Sequence, residues 1–200
     1  MNLPISIPNI LTGLRILLIP VLVVVFYLPV EWRYTGAALV FTLAAITDYL
    51  DGYLARRWGQ VTPFGAFLDP VADKLIVAVS LVLLVAVHAN ALLAVPSLVI
   101  VGREIAVSAL REWMAQYSDK RGVAVSFLGK VKTVFQMVSI IVLLASGGSV
   151  DTIVARVGVV LLYAASILTL WSMYLYLKLA WPELSSGMIN ESAEQDEDRG

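Results

Sequence analysis

The sequence predicts an all-α integral membrane protein with six transmembrane helices. Of its 200 residues, 60% are hydrophobic and the mean hydropathy is +0.85, well above the roughly 45–50% apolar content of soluble domains. Apolar runs of about 20 residues, the length that crosses a bilayer as helix, recur along the chain. Short polar segments rich in Gly, Pro and charge separate them. The length suits one domain, residues 1–181, followed by an acidic tail at 182–200 that reads as disordered. There is no cysteine, so disulfide and thiol chemistry are excluded. A net charge of −1 points to no polyanionic partner, and no nucleic-acid motif is present. The N-terminus has neither a basic leader region nor a cleavage site, so no signal peptide is expected.

The elements follow in order. Residues 1–7 are short and amphipathic and suit the membrane interface. Span 1, residues 8–27, opens with Pro8-Asn9, carries Thr12 and Arg15 a turn apart, and contains Pro20. An arginine this deep either snorkels or faces a polar cavity. Span 2 covers 35–57 and span 3 covers 64–87. His88 to Ala91 form a tight turn, and His88 is given no role. Span 4 covers 92–114, span 5 covers 127–145, and span 6 covers 152–177, where Trp171, Tyr174 and Tyr176 suit an interface. Six spans put both termini on one side. Arg56, Arg57, Lys120, Arg121, Lys130 and Lys132 fall on that side, with Arg33 and Arg156 opposite. The positive-inside rule therefore places the termini in the cytoplasm.

Spans 2 and 3 meet in the most informative stretch, residues 48–73. On a helix, Asp48, Asp51, Gly52 and Ala55 share one face, and Gly65, Asp69 and Asp73 share another. Gly59 and Thr62-Pro63 between them favour a turn. Two antiparallel helices joined there would aim four carboxylates at one another. A single carboxylate at the centre of a membrane helix costs roughly 2.5–3.5 kcal/mol, and four together repel or protonate. Two divalent cations, Mg²⁺ or Mn²⁺, would cancel the charge with the oxygen ligands these ions prefer. Such a pair can clamp a phosphoryl group during displacement, with Arg56 left to meet a phosphate. Pro70 removes a helix hydrogen bond beside Asp69 and is expected to open the helix there.

A second group is basic. Arg103 and Arg111 are eight residues apart and lie on nearly one helix face, while Lys130, Lys132 and Thr133 open span 5. Cations at span ends also serve topology and headgroup binding. Next to a metal site they suggest a second phosphate pocket.

The pattern D-x-x-D-G-x-x-A-R, eight residues, then G-x-x-x-D-x-x-x-D resembles the signature of the CDP-alcohol phosphotransferase family. It matches at all eight positions: Asp48, Asp51, Gly52, Ala55, Arg56, Gly65, Asp69 and Asp73. Pro8-Asn9-x-Leu11-Thr12-x-x-Arg15 is similar to the family's N-terminal pattern. V-G-R-E-I at Arg103, A-L-R-E-W at Arg111 and G-K-V-K-T at Lys130 look like its glycerol-phosphate branch. The resemblance implies a homodimer that joins CDP-diacylglycerol to sn-glycerol 3-phosphate among membrane lipids. In it Asp48, Asp51, Asp69 and Asp73 hold two metal ions, and Asp73 also takes the proton of the attacking hydroxyl. Gly52, Arg56, Thr62 and Gly65 receive the nucleotide. Arg103, Arg111, Lys130 and Lys132 hold the acceptor phosphate. Within the family the acceptor could instead be inositol phosphate, serine or phosphatidylglycerol; the basic group disfavours serine. An ion or metal transporter also buries aspartates among helices, but it does not need G-x-x-A-R, and it continues polar groups through the membrane.

Overall fold

The computed structural model describes residues 7–58, 63–117, 127–147 and 151–197. Each expected span is a helix: α1 Ile7–Tyr27, α2 Arg33–Trp58, α3 Pro63–His88, α4 Ala91–Tyr117, α5 Phe127–Ala145 and α6 Ile153–Glu197. No strand occurs among the described residues. The interfacial segment expected at 1–7 lies, but for Ile7, outside them, as do Thr62 and the Lys120-Arg121 loop.

Local chemistry sets the helix ends. Pro63 opens α3, where a missing N–H costs nothing. Asn90 caps α4, its Oδ1 accepting from Leu92 N at 3.0 Å. Thr152 caps α6, its Oγ1 accepting from Ala155 N at 3.1 Å. Gly147, at φ +72°, follows α5 in the left-handed conformation that glycine adopts without strain. His88 is the last residue of α3 rather than a loop residue, and its Nδ1 lies 2.8 Å from Leu84 O.

Two elements differ from expectation. Pro20, Pro70 and Pro96 all sit inside continuous helices; α3 runs through Pro70 rather than opening there. Membrane helices tolerate this because neighbours and local adjustment satisfy the released carbonyl. The tail read as disordered is helical to Glu197. Its composition explains how: Glu191, Ala193, Glu194 and Gln195 form helix readily even where they cannot build a core.

Among the described residues, four segments are long and apolar enough to cross a bilayer: Ile10–Tyr27, Phe67–His88, Ala91–Met114 and Ile153–Lys178. In α5 the apolar part is the shorter Val131–Ala145. In α2 the last three turns carry Asp48, Asp51, Arg56 and Arg57. Burial is inverted relative to a water-soluble protein. Leu17, Leu39, Val82, Leu98, Val160 and Ile167 are exposed, whereas Thr12, Arg15, Asp51, Ser139, Thr169 and Ser172 are buried. Polar groups turn inward because lipid offers them no hydrogen bonds. The chain is therefore an all-helical membrane protein.

The core between the helices centres on Leu22, Phe41, Leu81, Leu93, Ile100, Ile140, Leu143 and Leu162. The pairs α5–α6 and α1–α2 pack most extensively, and α1 also touches α3. Successive helices run in opposite directions, so one end of the bundle gathers the start of α1, the end of α2 and the start of α3. The end of α4 and the start of α5 join them there.

Candidate active site

At that end the four aspartates converge from two helices. Asp48 and Asp51 lie on α2, Asp69 and Asp73 on α3. Between them α1 inserts Arg15, which has no exposed surface. Its Nη1 is 3.0 Å from Asp48 Oδ1 and 2.5 Å from Asp73 Oδ1, and its Nη2 pairs with Asp51 Oδ2. One turn earlier, Thr12 Oγ1 donates to Asp69 Oδ1 at 2.5 Å. Asp51 is almost fully buried, while the side chains of Asp48 and Asp73 are 35% and 39% exposed. The acidic site is thus closed on the α1 side and open on the other.

The open side is a cavity of about 310 Å³. Asp48, Asp69, Asp73, Lys74, Glu104 and Gln136 contribute to its wall. It leads from the aspartates towards the basic group. There Glu104 Oε1 accepts from Arg103 Nη1 at 2.9 Å and from Lys132 Nζ at 2.7 Å. Arg103 Nη2 donates to Ser172 Oγ on α6 at 2.8 Å. Lys74, next to Asp73, donates to Ser108 Oγ.

The structure therefore brings together Asp48, Asp51, Asp69 and Asp73, and separately Arg103 and Lys132 on Glu104; Asp48, Asp69, Asp73 and Glu104 share one cavity. Gly65 is buried at the start of α3. Gly52 and Arg56 lie on the last turns of α2, Arg111 on α4 and Lys130 on α5; the side chains of Arg56, Arg111 and Lys130, like Thr62, lie outside the described residues. Sequence reasoning did not assign Arg15 and Thr12 to the aspartates, nor Glu104 to the two cations. The signal for the first pair was present: two polar residues a turn apart within an apolar span. For Glu104 it was the acid adjoining Arg103.

The donor set suits a divalent cation. All four groups are carboxylates, and oxygen ligands are what Mg²⁺ and Mn²⁺ select. A single guanidinium neutralises only part of their charge, and the remainder faces an open cavity. Among the described residues no three acidic side chains surround a common point; Asp48, Asp51 and Asp73 are instead drawn to Arg15.

Comparison with known proteins agrees with this geometry. A Pseudomonas fluorescens protein named CDP-diacylglycerol–glycerol-3-phosphate 3-phosphatidyltransferase is 54% identical over 182 residues, 90% of this chain and 93% of that protein. Proteins of the same name from Shigella flexneri serotype 5b and Escherichia coli K12 are 50% and 49% identical over 179 residues, 90% of this chain and 97% of each. The profile of the CDP-alcohol phosphatidyltransferase family matches residues 5–171. That match takes in α1 to α5 and most of the apolar part of α6, and by it the chain belongs to the CDP-alcohol phosphatidyltransferase family.

Proposed function

We propose that this chain transfers the phosphatidyl group of CDP-diacylglycerol to sn-glycerol 3-phosphate, giving phosphatidylglycerophosphate and CMP. The observation that carries the reading is one cavity lined by Asp48, Asp69 and Asp73 and by Glu104, the acid that holds Arg103 and Lys132. An activated phosphate and a phosphorylated acceptor need that pairing. The name borne by relatives at about half identity supports the same substrates.

In this reading the primary hydroxyl of the acceptor attacks the phosphatidyl phosphorus. A new P–O bond forms, the bond to the bridging oxygen breaks, and CMP leaves with that oxygen. Asp48, Asp51, Asp69 and Asp73 would hold two Mg²⁺ or Mn²⁺, which when bound neutralise charge on the pyrophosphate. Asp73, partly open to the cavity, takes the hydroxyl proton. Arg15 and Thr12 orient the carboxylates from behind. Gly52 and Gly65 leave room for the nucleotide, which Arg56 and Thr62 bind. Arg103, Arg111, Lys130 and Lys132 hold the acceptor phosphate and so fix the attacking hydroxyl. An incoming phosphate competes with Glu104 for Arg103 and Lys132.

One substrate brings two acyl chains and the other is water-soluble, so the reaction belongs where water meets the bilayer. We place the protein in a bacterial inner membrane as a homodimer, with the site and both termini on the cytoplasmic face; the Arg and Lys bias of that end supports the orientation. The test is CMP release by the purified protein from CDP-diacylglycerol and Mg²⁺, with glycerol 3-phosphate, serine, inositol 1-phosphate or phosphatidylglycerol as acceptor. Release with glycerol 3-phosphate alone is expected, and Asp69→Asn should lower the rate at least about 10²-fold. Release with a different acceptor would overturn the choice of acceptor. Near-normal turnover by Asp69→Asn would overturn the role of the carboxylates.

A further inference from the structure

The cavity wall holds a buried polar side chain to which neither the sequence nor the reaction above gives a role. Gln136, on α5, lines the cavity and is only 5% exposed, yet among the described residues its Oε1 has no hydrogen-bond partner. Buried amide oxygens are seldom left so, because the group has lost water without replacing it. Its neighbours on α5 are satisfied. Lys132 Nζ donates to Glu104, Thr133 Oγ1 to Gly129 O, and Ser139 Oγ to Gly158 O. Among the described residues of α5, Gln136 Oε1 is the one buried side-chain atom left without a partner.

Its position is also particular. Gln136 lies one helical turn beyond Lys132, a rise of about 6 Å along α5. The same cavity is lined by Asp69 and Asp73 of α3. A small phosphorylated polyol with its phosphate at Lys132 and Arg103 and its reacting hydroxyl at Asp73 would occupy the cavity that Gln136 lines. A hydroxyl on the middle carbon could donate to Gln136 Oε1 and satisfy it.

We propose that Gln136 is a specificity-determining residue that accepts a hydrogen bond from the secondary hydroxyl of the acceptor. The inference rests on the reading of the cavity as the acceptor site and adds the residue that recognises the middle of the acceptor. A site that leaves a buried acceptor unpaired rejects an analogue lacking the matching hydroxyl. The residue thereby distinguishes glycerol 3-phosphate from acceptors that offer only a phosphate and a primary hydroxyl.

The test compares glycerol 3-phosphate with 3-hydroxypropyl phosphate, which has the same phosphate and primary hydroxyl but no secondary one. CMP release from CDP-diacylglycerol and Mg²⁺ is measured with each, for the wild-type chain and for Gln136→Met, a substitution close in volume without the amide. The wild type should prefer glycerol 3-phosphate in kcat/KM by at least about tenfold, the worth of one well-made hydrogen bond. In Gln136→Met the preference should fall to within about threefold. A merely structural role would lower both acceptors alike and keep the ratio, and that result overturns the proposal. If Gln136→Met does not fold, Gln136→Asn, which keeps the amide but withdraws it by one methylene, carries the same comparison; an unchanged ratio there also overturns it. A wild-type chain inactive with both acceptors would instead bring down the functional reading itself, so the two failures are distinguishable.

Discussion

Arg15 sits deep in an apolar helix with no exposed surface, and carboxylates from α2 and α3 take both its terminal nitrogens. An unpaired guanidinium there, or aspartates without it, would leave buried charge uncompensated. Removing one partner of such a group costs about 3–5 kcal/mol. Arg15→Met should therefore lower the unfolding temperature in a chelator by on the order of 10 °C for a chain of this size. Mg²⁺ should restore part of that loss by binding the exposed carboxylates in the folded state. Thermal unfolding in detergent, with chelator and then with Mg²⁺, measures both effects. An unchanged midpoint in chelator would show that Arg15 is not the counter-ion of the aspartates. The aspartates themselves could be read from the sequence, because i,i+3 and i,i+4 spacing within apolar flanks fixes a shared face. Their partner could not. Arg15 lies 36 and 58 positions from Asp51 and Asp73, and local periodicity says nothing about such pairings. Glu104 escaped for another reason: a search for phosphate ligands looks for cations, and the acid that holds Arg103 and Lys132 together carries the opposite sign.

Apart from the end of α6, individual helices were readable to within a few residues, because a bilayer demands runs of fixed length. What hydropathy does not report is how closely two helices approach. Along α5 and α6 the distance is set by Gly158. A Cβ at that position would lie 2.8 Å from Leu143 Cγ and 3.1 Å from Val142 Cγ1. Leu143 is itself fully buried and has little room to turn away. The close approach also brings Ser139 Oγ to 2.7 Å from Gly158 O. Small residues at such contacts let membrane helices pack by van der Waals contact, the force left to them when lipid removes the hydrophobic one. Gly158→Ala is expected to overpack the interface at a cost of about 1–3 kcal/mol, a fall of roughly 2–12 °C in the unfolding midpoint. Because Gly158, Val142 and Leu143 are not among the described residues that line the cavity, CMP release below that midpoint should be little changed. An unshifted midpoint would mean that α5 and α6 can separate without loss.

The whole molecule is a bundle that faces lipid with apolar side chains and keeps its polar groups between helices, gathered towards one end. That polarity explains why composition identified a membrane protein while the limits of the catalytic unit stayed open. Hydropathy marks where apolar sequence stops, at Lys178, but helix α6 goes on to Glu197. The remaining 19 or so residues would extend roughly 28 Å beyond the apolar segment. Two observations speak against a part in the site. The family match ends at residue 171, and Ser172, the α6 residue that holds Arg103, lies within the apolar segment. A chain ended after Trp181 should therefore keep both its fold and its chemistry. Changes at solvated positions away from packed contacts stay within about 0.5 kcal/mol, so CMP release should remain within about twofold of the full chain. The unfolding midpoint should shift by no more than about 2 °C. A large loss of activity with an unchanged midpoint would give the acidic helix a direct part at the site. A large fall in the midpoint would instead make it part of the bundle and move the boundary of the folded unit from residue 181 towards Glu197.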